Sequence, residues 1–460
     1  MKKSLRVVVI FAISAAWPQV MHGVQRTWNN TGTNFNDAAS WAGGVPGPGD
    51  VAVFNAGPAM QPNLSASVSI AGLYFFGSNV AQYDITATNS ANLTLTGTSP
   101  SGLGGTSDIS AAAIRSDNTA FINTIDAPLV LAPSTGTQST FVQADGGALV
   151  INGAISSAPG INLSLRGGVI QLNGANSHAT TSIDGSVSST STISVLLGND
   201  GAVGNGTLTI NTAAKLTAAG GARSISNPVV FGGDTTLIGQ NAFTFTGNVT
   251  SSGSSGRTLT VSNTGGATFN GTMSLEEAGA PAGRRLTIDG TAPVVINGVV
   301  QDGDVTAASL RYNGGNRITL NNTNTYTGGT VLTGAGNMLV TKDGGLGSGN
   351  VTLSENTTLT LQSGVTNNYI ADTATLSLQS STQVFLNYSG ADTINMLAID
   401  GTNQAAGTWG APGSGATHTS SIFGGIGMVN VLVVPEPASC VLIGLGALMC
   451  ARQLRRNNNI

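Results

Sequence analysis

The segment Asn324-Thr-Tyr-Thr-Gly-Gly-Thr-Val331, followed by Asp343-Gly-Gly-Leu-Gly-Ser-Gly-Asn-Val-Thr-Leu353, decides how this chain folds. Its glycines and asparagines tolerate the positive φ of tight corners. Its Val-Thr-Leu ending alternates apolar and polar side chains as a half-buried strand does. An earlier stretch repeats it: Asp200-Gly-Ala-Val-Gly-Asn-Gly-Thr-Leu-Thr-Ile210 matches Asp343 to Leu353 at an offset of 143 residues, and Leu172-Asn-Gly-Ala-Asn-Ser-His178 matches Leu320 to Tyr326 at 148. The difference is an insertion between the two blocks, as expected of a loop in a solenoid turn. In this alignment His178 takes the place of Tyr326, which argues for a structural histidine.

Outward from this segment the pattern hardly changes between Thr27 and Val434. Asn92-Leu-Thr-Leu-Thr-Gly97, Gly206-Thr-Leu-Thr-Ile210 and Thr357-Thr-Leu-Thr-Leu361 are period-2 alternations bounded by turn residues. No stretch reads as an amphipathic helix of ten or more residues. Short strands repeated throughout predict an all-β fold, and a solenoid rather than a compact sandwich. Of 460 residues 64 are glycine, without a three-residue period, so the chain is not collagen. The hydrophobic fraction of 40% is enough to fold, although only 8% of residues are charged. Residues 27–434 hold 10 basic and 20 acidic residues, a balance that argues against nucleic-acid binding. At roughly 20–25 residues per rung, the body would make some 16–20 rungs, about 80–95 Å long.

The segment resembles the autotransporter-associated beta strand repeat, also called the passenger-associated transport repeat. The resemblance rests on Asn324, Tyr326, Gly328, Gly329, Gly347 and Gly349, with a weaker copy around 172–218. It implies a right-handed parallel β-helix. Such a stack needs caps, because bare terminal rungs expose strand edges. Trp28, Trp41 and Phe54 concentrate bulk at the start, so 24–60 is expected to be an N-terminal cap; a sugar-binding aromatic platform is the alternative reading. The solenoid body is expected over 61–383, with its repeats near 172–218 and 320–361, and a C-terminal solenoid or cap over 384–434 containing Gly407-Thr-Trp-Gly410.

The two ends read as targeting chemistry. Lys2, Lys3 and Arg6 precede the apolar run Val7 to Ala16, so 1–23 is expected to be a signal peptide. Near the other end, Val434-Pro435-Glu436-Pro437 leads into the apolar run Ala438 to Ala451 and then Arg452, Arg455 and Arg456. The prolines block helix and sheet bonding around Glu436 and keep it extended. The apolar run, about 21 Å as a helix, is a short hydrophobic segment with snorkelling arginines. This order over 435–460 resembles the PEP-CTERM sorting signal of Gram-negative bacteria. The resemblance implies recognition by an exosortase-type sorting protease, inner-membrane anchoring through a C-terminal transmembrane helix, and then delivery to the cell surface or extracellular matrix. It also implies association with exopolysaccharide and biofilm. A classical autotransporter would need a C-terminal membrane barrel instead. Both cysteines, Cys440 and Cys450, lie in the apolar run, so the body has neither disulfides nor thiolate chemistry.

Residues that carry chemistry are sparse. The body's histidines, His178 and His418, are far apart in sequence, and no triad or zinc spacing is present. Asp145-Gly146, Asp289-Gly290 and Asp400-Gly401 read as turns. Three constellations remain: Asp302-Gly-Asp304 as a calcium chelate short of ligands, Glu276-Glu277 near Arg284-Arg285 as an acid/base cluster, and Thr-x-Thr strings such as Thr94-Leu-Thr96 as a flat glycan- or ice-binding ladder. The expectation is an exported, non-enzymatic structural or adhesive β-solenoid with no cofactor and no metal. The alternative is a polysaccharide-degrading β-helix, lyase or hydrolase, which would need carboxylates and Arg or Lys converging on one face.

Overall fold

A strand such as Thr358–Gln362 shows how the sequence becomes architecture: Leu359 and Leu361 are fully buried, while Thr358, Thr360 and Gln362 face outward. Each buried Leu, Ile or Val contributes about 1.5–3 kcal/mol only if something covers it. The covering is supplied by the same strand of the neighbouring turn. In the computed structural model, which describes residues 24–432 apart from 56, 58–59, 77–81, 98–111, 186–191, 254–255, 276–283 and 304–306, the chain is a parallel β-solenoid of about 14 turns. Helix among the described residues is confined to the single 3-10 turn Ala38–Ser40.

Each turn carries up to three strands, as in Val249–Ser251, Arg257–Val261 and Ala267–Phe269, and each strand bonds to its counterpart one turn on. Register is kept over long runs. Leu310 pairs with Thr330, Thr330 with Val351, Val351 with Leu376 and Leu376 with Leu397, steps of 20, 21, 25 and 21 residues. A core column runs Phe243, Ala267, Val294, Ile318, Met338, Leu359, Val384, every member buried. Part of this interior is an aromatic stack, with Phe245 5.7 Å from Phe243 and 5.0 Å from Phe269.

The turn count is lower than the 16–20 expected from an even division of the chain. Insertions account for the difference: Ile85 pairs with Ile125, Leu259 with Ile288 and Val384 with Phe423, so single turns consume 40, 29 and 39 residues. At about 4.8 Å per turn the stack is some 65–70 Å long. Strand lengths also differ from expectation in two places. Gln138–Ile151 and Asn162–Leu172 continue around a corner as single strands of 14 and 11 residues, with a bulge between Gln143 and Ala148. Gly146 (φ +98°) and Gly167 (φ +104°) make the bend there, so Asp145-Gly146 lies within a bulged strand rather than a free turn. Gly290 and Gly401 are also at positive φ, at corners as expected.

Most aromatic residues of the first turns point inward. Trp28, Phe35, Trp41, Phe54, Phe75 and Tyr83 are all buried, with Trp28 and Trp41 5.1 Å apart and Phe54 and Tyr83 4.9 Å apart. Trp41 Nε1 donates to the Phe35 carbonyl at 2.7 Å. These rings form interior packing, not the exposed platform considered from sequence. Antiparallel pairing occurs at both ends of the stack: Gln25–Trp28 with Trp41–Ala42, and Gly407–Gly410 with Met428–Val431. Among the described residues no helix is long and apolar enough to cross a membrane. The expected signal peptide, 1–23, and the expected sorting signal and C-terminal helix, from Val434 through Pro435, Glu436 and Pro437 to Arg452, Arg455 and Arg456, lie outside the described residues.

Candidate functional site

The repeat residues come together at one buried corner. Asn324 Oδ1 accepts the Val300 N–H at 2.8 Å and its Nδ2 donates to the Gly345 carbonyl at 2.6 Å, so one amide joins three consecutive turns. Tyr326 is fully buried, with its hydroxyl 2.5 Å from Thr330 Oγ1, and Thr330 Oγ1 donates to the Leu346 carbonyl at 3.0 Å. The threonine proton is thereby committed, so the phenol donates to the threonine. Burial pushes the Tyr326 phenol well above its ordinary range. The glycines are required by space. Gly347 has φ +70°, and a Cβ there would stand 2.5 Å from the Tyr326 carbonyl oxygen and 2.9 Å from its ring. At Gly328 a Cβ would collide with Ala307, at Gly329 with Asn350 and at Gly349 with the Gly329 backbone.

The weaker copy reproduces this bond for bond. Asn176 Oδ1 accepts the Ile155 N–H at 2.8 Å and Nδ2 donates to the Ala202 carbonyl at 2.6 Å. His178 Nε2 lies 2.7 Å from Thr181 Oγ1, which donates to the Val203 carbonyl at 2.9 Å. Nε2 therefore carries the proton, and Nδ1 is buried without a partner among the described residues. Burial pulls the His178 pKa down to about 4, so the imidazole is neutral. Gly204 at φ +78° lies against His178 as Gly347 lies against Tyr326. His178 occupies the structural position read from the alignment. His418, in the last turns, instead stacks on Trp409 at 4.7 Å.

The carboxylates of the body are largely engaged in holding corners. Asp343 accepts the N–H groups of Val365 and Thr366 at 2.8 Å and Asn368 at 3.0 Å, together with the Thr366 hydroxyl. Burial works against its charge, but those bonds hold its pKa below the usual range. Asp302 accepts Ala308 N, Thr327 N and Thr327 Oγ1, so it serves as a corner clamp; Asp304 lies outside the described residues. Asp200, Asp234 and Asp400 each accept a backbone N–H from an adjacent turn. Among the described residues no three His, Cys, Asp or Glu side chains group as metal ligands. Glu276 and Glu277 lie outside the described residues, and of the neighbouring arginines Arg284 is buried while Arg285 is exposed.

Asp392 is different. It is fully buried, with Oδ2 accepting Tyr369 N and Ile370 N at 3.2 and 3.1 Å and Oδ1 without a partner among the described residues. Burial pushes its pKa up to about 8; the two N–H bonds oppose this, and Asp372 and Asp343 add to it. Tyr369 and Tyr388 stack at 5.1 Å nearby. The neutral acid fills a position like that of the bridging amides Asn324 and Asn176.

On the outside, Arg317, Asn337, Thr358 and Gln383 fall in one column because their strands stay in register. The first three line a polar depression of about 460 Å³ walled by Pro293, Asn316 and Ala335. The sequence reading missed this column, although aligning Ile318, Met338, Leu359 and Val384 as inward residues places the preceding residues side by side. No protein-family model, curated protein or solved structure matches this chain.

Proposed function

We propose that this chain is an exported structural or adhesive rod, sorted to the cell surface or extracellular matrix, whose polar exterior associates with exopolysaccharide. The observation that carries the reading is the use of the body's polar groups. Asp200, Asp234, Asp302, Asp343 and Asp400 bond backbone at the corners, while the outward columns present hydroxyls and amides in register. That combination suits persistence and repetitive surface contact. In this reading the winding is right-handed, the antiparallel ends cap the stack, and residues 435–460 form the apolar helix and sorting signal cut by an exosortase-type protease.

The competing reading, a polysaccharide lyase or hydrolase, requires titratable groups free to act on substrate. One experiment separates the two. The purified full chain is incubated with matrix polysaccharide from its host, and co-sedimentation and new chain ends are measured together. The adhesive reading expects co-sedimentation without new reducing or unsaturated ends. Turnover of the polymer would sink it in favour of the enzyme.

A further inference from the structure

We infer that the outer column Arg317–Asn337–Thr358–Gln383 is a binding groove for a carboxylate-bearing polysaccharide, with the sugar chain running along the solenoid axis. This rests on the adhesive reading and names the ligand class and the residues.

The first argument is charge. Arg26, Arg115 and Arg223 are paired with Asp50, Asp117 and Asp200. Arg317 is exposed at the mouth of the depression, and among the described residues its guanidinium makes no hydrogen bond or ion pair. In a body whose acids outnumber its bases, such a fork attracts a carboxylate, which it can grip with two parallel N–H donors.

The second argument is spacing. Side chains of one column repeat every turn, about 4.8 Å apart. That is close to the advance of one pyranose residue along an extended 1,4-linked chain. Beyond Arg317 the column offers an amide, a hydroxyl and a second amide, each able to bond a sugar hydroxyl. The adjoining outward column, Thr319, Leu339, Thr360 and Phe385, ends in an exposed ring. Phe385 packs over Gly424, where a Cβ would meet the ring at 2.7 Å, so the ring is seated and can take the apolar face of a sugar.

The chemistry also narrows the ligand. The column itself carries one cation, Arg317, over four turns, too few to neutralise a run of phosphates, which argues against nucleic acid. The column lacks the desolvated aromatic anchor that protein partners favour.

The test immobilises the full chain and measures binding of polygalacturonate, with neutral dextran as the comparison, at low and high salt. Polygalacturonate should bind and weaken as salt rises, and dextran should not bind. Arg317→Ala should lower affinity about tenfold and Arg317→Lys by less. Lys215→Ala, an exposed cation on another face, should change nothing. Equal binding by wild type and Arg317→Ala overturns the groove and leaves the adhesive reading standing. Equal binding of dextran overturns the acidic class. Absence of polygalacturonate binding alongside retained co-sedimentation with host matrix overturns this ligand alone, and loss of both overturns the adhesive reading too.

Discussion

Near and above pH 7, Asp392→Asn should make the C-terminal turns more stable, and increasingly so as pH rises. The wild-type carboxyl has an ordinary value of 3.8 and a folded value of about 8. Between those values the folded chain holds a proton that the unfolded chain has released, so stability falls as pH rises, by about 1.4 kcal/mol per unit. The loss begins above 3.8, is complete once pH passes about 8, and reaches roughly 4 kcal/mol at pH 7. Asparagine keeps an oxygen for Tyr369 N and Ile370 N and carries no ionisable group. Its amide N–H₂ replaces the unpartnered Oδ1, at a cost of about 1–3 kcal/mol where no acceptor is found. The net expectation is a gain of about 1–3 kcal/mol near pH 7, a larger gain near pH 8, and a loss of about 1–3 kcal/mol near pH 4. Because solenoids unfold regionally, the assay must be local: urea titration read by hydrogen exchange in peptides spanning 365–372 and 388–394, corrected for intrinsic exchange. Parallel pH slopes for wild type and variant would refute the reasoning, as would a loss of stability that is the same at all three pH values.

The converse substitution, Asn324→Asp, should install alkaline lability at a corner that lacks it and cost about 3–5 kcal/mol near pH 8, measured by the same exchange in peptides around Val300 and Gly345. His178 is depressed from 6.5 to about 4, so the unfolded chain binds more protons in that window. Stability contributed by neutral His178 is complete above 6.5 and falls by about 3 kcal/mol as pH drops to 4; His178→Tyr should flatten that slope in acid-denaturation curves. Gly347→Ala forces a Cβ into φ +70° and against Tyr326, and should cost at least about 1–3 kcal/mol and loosen exchange at Ser348. Phe245→Ala opens the Phe243–Phe245–Phe269 stack, and a loss of about 3–5 kcal/mol should appear as a lower urea midpoint for the middle turns.

The parallel stack was legible because its rules are local. Thr-Leu-Thr-Leu alternation states which side chains turn inward, and the glycine of Leu-Gly-Ser-Gly states where the backbone must cross to positive φ, as Gly347 does. The pairing of His178 with Tyr326 was legible because both ring and phenol bond a threonine a few residues on. The turn count was not, since insertions such as the one between Ile85 and Ile125 leave no mark on the flanking strands. The groove depends on register between residues 20 to 25 apart, which composition does not reveal. Asp392 was invisible for another reason. Nothing in Gly390-Ala-Asp-Thr-Ile394 distinguishes an inward carboxyl from the corner aspartates that surround it in sequence.

The central claim, that this rod is delivered to the surface or matrix, is tested most directly by fractionating the native host with wild-type chain and with Glu436→Ala. The account predicts wild-type protein shortened near Pro435–Pro437 and found at the surface or in the matrix, with the variant retained at full length in the inner membrane. Full-length protein in the inner membrane in both strains would contradict it and leave a plain tail anchor.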